Sequence, residues 1–101
     1  MIEIVRQEMK DRLVADFGYP PSGADLVTEK LLNLQPDLSQ QFEEWWTTGE
    51  LPSVSIEGFS MEDLITNHSM NTIAAFLTFD WLIREPEKAK TSLNRGHDHV
   101  S

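Results

Sequence analysis

The sequence contains no cysteine. A disulfide framework, a thiolate nucleophile and any Cys-based zinc or iron–sulfur site are therefore excluded. Long apolar runs are missing too. The longest, Ile73 to Leu77, falls far short of the roughly 20 residues a membrane span needs. The start, Met1-Ile2-Glu3-Ile4, lacks the basic-then-apolar profile of a signal peptide. The expectation is a soluble, cytoplasmic protein that does not engage membranes.

Positive charge is the next scarcity. Lys and Arg total 8 against 17 Asp and Glu, a formal charge of −9 in 101 residues. The imbalance is local. Residues 1–35 hold six acids and four bases, and residues 71–101 hold four of each. Residues 36–70 hold seven acids (Asp37, Glu43, Glu44, Glu50, Glu57, Glu62 and Asp63) and no base. Nucleic-acid binders must neutralise phosphates with Lys and Arg, so this balance argues against a nucleic-acid partner. The same field attracts basic proteins.

Glycine and proline, five of each, sit at turn positions and cut the chain into helical lengths. Ile2, Val5, Met9, Leu13 and Phe17 recur at three- and four-residue steps, which lines one face of a helix. Gly18 and Pro20-Pro21 stop it. Ser22 and Asp25 resemble a capping box, followed by a stripe of Ala24, Val27, Leu31 and Leu34 that Pro36 ends. Asp37 is the expected N-cap of a third helix carrying Leu38, Phe42 and Trp45, closed by Gly49.

Ser53-Val54-Ser55-Ile56 alternates polar and apolar residues, the one strand-like pattern, and reads as an extended connector. Ser60 and Asp63 form a second cap for a short helix with Met61, Leu64 and Ile65. Thr72 to Arg84 is the most apolar segment, polar only at Thr72, Thr78, Asp80 and Arg84, as expected of a central helix. Asp80 and Arg84 stand four apart and can pair. Pro86 opens a last helix over 86–94, and 95–101 reads as a flexible tail. The fold class is all-α: a single domain over residues 1–94, orthogonal or bundle-like, of five to six short helices.

Chemistry-bearing motifs are sparse. There is no H-E-x-x-H, no P-loop and no G-x-G-x-x-G. Glu43/Glu44 and Glu62/Asp63 are adjacent pairs that a helix points about 100° apart. His97-Asp98-His99 has metal-ligand residue types, but in a tail without the supporting contacts that fix ligands. No metal or cofactor is expected, and no catalytic set can be named.

The remaining signal is aromatic and acidic. Trp45 and Trp81 fall on core positions, whereas Trp46 falls on the edge of the apolar face, next to Glu43, Glu44 and Glu50. Such an edge tryptophan suits contact with a basic, partly apolar protein surface, extended by Tyr19 in its Pro-rich loop. Ile73 and Leu77 share a line with Asp80 and Arg84; if that line faces solvent, they form a second contact surface. The expected function is non-catalytic protein–protein interaction, with a basic partner or with a second copy. An acidic mimic of nucleic acid that occupies a basic groove is one alternative. A small ligand-binding module or enzyme using His68 beside Ser69 is another.

Overall fold

The structure, a computed structural model, describes residues 6–98 and the side chains of residues 6–94. Among the described residues six helices and one hairpin follow in order: α1 (Arg6–Phe17), α2 (Pro21–Leu32), α3 (Pro36–Thr48), β1 (Ser55–Ile56), β2 (Phe59–Ser60), α4 (Met61–Thr66), α5 (Thr72–Arg84) and α6 (Pro86–Asp98). The helical fold class expected from the sequence is the one observed. The connector differs in that it folds back into a two-residue antiparallel hairpin, with Ser55 opposite Ser60 and Ile56 opposite Phe59. The chain divides after Leu34 into two units.

In the first unit α1 and α2 pack together. Helices of 12 residues are marginal alone and need such packing. Met9 and Leu13 are buried and Phe17 is half-buried; Ile2 and Val5, assigned to the same stripe, lie outside the described residues. Gly18 adopts φ +73° beyond the last turn, a conformation that favours glycine. α2 opens at Pro21, with Pro20 at the N-cap and no side-chain cap. The Ser22–Asp25 pattern is therefore not used as a cap: proline, pre-set for the first helical position, starts the helix two residues earlier, at Pro21 rather than Gly23. The buried face of α2 is Ala24, Thr28 and Leu31, with Val27 half-buried.

Ions tie the pair together. Arg6 pairs with Glu29, and Lys10 Nζ lies 3.4 Å from Asp25 Oδ1. Residue numbers rise along one helix as they fall along the other, so the hairpin is antiparallel.

In the second unit α5 is the central element, touching α3, α4, α6 and β1. It buries Ile73, Ala75, Phe76, Phe79 and Leu82. Phe76 meets Phe42 of α3 edge to face at 5.3 Å between ring centroids, and Trp45 at 5.9 Å, a favoured aromatic geometry. α3 begins at Pro36 rather than behind an Asp37 cap. Gln35 is its N-cap residue, and the Gln35 N–H donates to Asp80 Oδ1 at 3.1 Å. The Arg84 Nε donates to the other oxygen, Oδ2, at 2.8 Å. One carboxylate thus links the start of α3 to the expected Asp80–Arg84 pair.

This link overturns the expectation of a solvent line through Ile73, Leu77, Asp80 and Arg84. Ile73 is 0% exposed, Leu77 is half-buried, and Asp80 is half-buried too, since a carboxylate with a backbone donor and a guanidinium can sit inward; Arg84 alone of the four is exposed. Trp81 is displaced in the opposite direction: expected in the core, it is 36% exposed.

The rest of the unit follows local rules. Ser60 and Asp63 form the expected capping box of α4, Ser60 Oγ accepting from the Asp63 N–H at 3.0 Å and Asp63 Oδ2 from the Ser60 N–H at 3.2 Å. The hairpin turns through Glu57 and Gly58 at φ +54° and +85°, the two left-handed residues a two-residue turn requires. Lys90 of α6 holds Glu57 at 3.1 Å. The hydrogen bond that Lys90 donates to Glu57, then the nearby charge of Glu87, raises the Lys90 pKa above its ordinary value. α6 runs to Asp98, four residues past the expected boundary, and buries Ala89 and Leu93. His99, Val100 and Ser101 of the expected tail lie outside the described residues.

Candidate functional site

The acidic, aromatic corner expected from the sequence lies at the C-terminal half of α3 and the loop that follows. Trp46 is half-buried, Glu43 is half-buried, and Glu44 and Glu50 are exposed. The Trp46 ring rests against Phe42, 5.5 Å between centroids at 33°, and against Trp45 at 6.1 Å. These contacts fix its inner edge to the core. Gly49 at φ +81° ends α3, and Thr48 Oγ1 accepts the Glu50 N–H at 3.2 Å, which holds the turn that places Glu50.

Tyr19 is half-buried and belongs to the 1–34 unit, so the site is built on the second unit alone. Ile73, wholly buried, offers no surface to a partner. Leu77 offers part of one.

The charges of residues 36–70 divide into two sets. Glu57 pairs with Lys90, and Asp63 is committed to the α4 cap and to Asn67 Nδ2 at 3.2 Å. Asp37, in the first turn of α3, and Glu43, Glu44, Glu50 and Glu62 have no ion-pair partner among the described residues. The cause is compositional: the segment supplies no Lys or Arg.

Sequence reasoning missed a groove of about 560 Å³ beside this corner in the chain. One wall is the extended stretch Leu51, Pro52 and Val54; the other is α4, through Met61, Glu62 and Ile65. The Met61 N–H donates to the Val54 carbonyl at 2.9 Å, which pins the two walls at one end. Met61 is 4% exposed and Leu51 is 54% exposed. The available signal was Leu51-Pro52 directly after Glu50, with Val54 alternating opposite the Met61/Ile65 face.

His68 lies in the turn after α4, its ring 5.9 Å from Phe59 at 65°, and is not among the residues lining the groove. The side chains of His97 and Asp98 and the whole of His99 lie outside the described set. No described helix is long and apolar enough to cross a membrane. No family model, curated protein or solved structure matches this chain.

Proposed function

We propose that this chain is a non-catalytic protein-binding module whose partner presents a basic, partly apolar surface, and that residues 36–70 receive it. The observation that carries this reading is the set of four carboxylates, Glu43, Glu44, Glu50 and Glu62, without an ion-pair partner among the described residues. Such a set raises the local concentration of cationic partners and speeds their docking. Trp46 supplies the apolar component. It is held against Phe42 and Trp45, so little side-chain freedom is lost on contact, which is the property that makes tryptophan a frequent anchor of interfaces.

The test compares the wild-type chain with the Glu43→Lys/Glu44→Lys variant as baits in lysate of the source cells, washed at low and high salt. A basic protein retained by the wild type at low salt, released at high salt and lost by the variant is the expected result. Equal retention by both baits overturns the proposal, as does capture of nothing but further copies of the chain. Release of the captured protein by added DNA would instead support mimicry of nucleic acid. The variant should fold normally, with a stability change within about 0.5 kcal/mol, as for most surface substitutions.

A further inference from the structure

We infer that the groove between Leu51–Val54 and α4 is the seat of a basic, aliphatic peptide segment of the partner: a Leu, Ile, Val or Met side chain enters between Val54, Met61 and Ile65, and a neighbouring Lys or Arg pairs with Glu62.

The inference rests on the proposed function, since it names the part of a basic partner that docks, and three features carry it. The volume, about 560 Å³, falls within the range of roughly 300–1,000 Å³ usual for ligand sites. The lining is mainly apolar, and its rim residue Leu51 is 54% exposed, an arrangement that gains most by taking an apolar group out of water. The charge is one-sided: every lining residue belongs to the segment without a Lys or Arg, and Glu62 stands in the wall without an ion-pair partner among the described residues.

An acidic ligand would be repelled by Glu62, and a neutral apolar one would leave the attraction of that exposed carboxylate for a cation unused. A segment alternating basic and aliphatic residues satisfies both the walls and the carboxylate. Two other grooves fit no single occupant as well. One, about 440 Å³ beside Trp81, has both Glu87 and Lys88 in its lining. The other, about 380 Å³ between α3 and the connector, shares Ser53, Val54 and Ser55 with the main groove.

The test titrates the ¹⁵N-labelled full chain with an end-blocked pentapeptide alternating Arg and Leu, and with its counterpart carrying Glu for Arg. Amide shifts centred on Leu51, Val54, Glu62 and Ile65 with the Arg peptide, and none with the Glu peptide, are expected. Leu51→Asp and Glu62→Lys should each weaken binding by about tenfold or more. Leu51 and Glu62 are exposed, so both variants should keep the wild-type spectrum elsewhere. Glu43→Gln/Glu44→Gln should cost this peptide less affinity than Glu62→Lys does.

Shifts confined to α3 and lost in the Gln variant would overturn the groove assignment while leaving the basic-partner reading in place. Equal shifts with both peptides, or none at millimolar Arg peptide, would overturn the groove assignment as well. The bait comparison then decides the basic-partner reading separately.

Discussion

Residues 1–34 and residues 36–70 hold six and seven acidic side chains, and the two stretches use them differently. In the first, four bases are interleaved with the acids, and Arg6–Glu29, Lys10–Asp25 and Arg12–Asp16 are paired. Two of these pairs cross from α1 to α2 and hold the antiparallel hairpin in register. In the second stretch no base is present. One acid reaches Lys90 of α6, one caps α4, and the other five, Asp37 among them, have no ion-pair partner among the described residues. The lesson is that acid content alone does not describe a surface. An interleaved charge pattern closes in part on itself, with Glu8 and Asp11 still outside any ion pair among the described residues, whereas a one-sided pattern leaves its field open to a partner.

The largest effect is expected from removing the support under the acidic corner. Phe76→Ala takes away the ring against which Phe42 and Trp45 pack. It should destabilise the second unit by about 3–5 kcal/mol, the usual loss for a buried phenylalanine. All three tryptophans lie in residues 35–101, so urea unfolding followed by tryptophan fluorescence reads this unit specifically. An unchanged midpoint would show that Phe76 does not organise the corner.

A smaller effect is expected at the cap. Asp80→Ala strips the Gln35 N–H of its acceptor and leaves Arg84 without its carboxylate. A loss of about 1–2 kcal/mol follows from the cost of removing a helix cap and a charge-assisted bond. Asp80→Asn, which keeps an acceptor oxygen, should recover part of it. Equal losses in the two variants would assign the effect to the Arg84 pair rather than to the cap.

The smallest effect tests the contrast itself. Raising salt screens attractions and repulsions alike. Amide exchange at Met9 and Leu13 in the ion-paired hairpin should therefore speed up as salt weakens its surface pairs, each worth about 0–1 kcal/mol. The tryptophan-monitored stability of the acidic unit should rise slightly over the same range. Changes of the same sign in both readouts would break the comparison.

Much of the fold was legible because the signals are local. The Ser60–Asp63 box, the glycines after α1 and α3 and the bounds of α5 need only neighbouring residues, and the structure uses each as expected. The two prolines separate the helices as expected and also open the next ones. Pro21 and Pro36 act as first helical residues, a role proline fills as readily as that of a stop.

The candidate site was half legible. Trp46 on the edge of its helix face and the base-free segment around it are one-dimensional facts. The groove needs Leu51–Val54 to be laid against α4, which no periodicity announces.

The helical class, the capping box of α4, the glycine stops after α1 and α3, and the one-sided charge of residues 36–70 are written in the sequence. These follow from spacing, from backbone preference and from the count of charged side chains. Only the tertiary structure decided that Asp80 turns inward to hold α3, that Ile73 is buried while Trp81 meets solvent, and that an apolar groove opens beside Glu62. The physical reason is that burial is a property of pairs of elements: a helix face becomes interior or surface only when another element supplies the partner for its polar groups and the cover for its apolar ones.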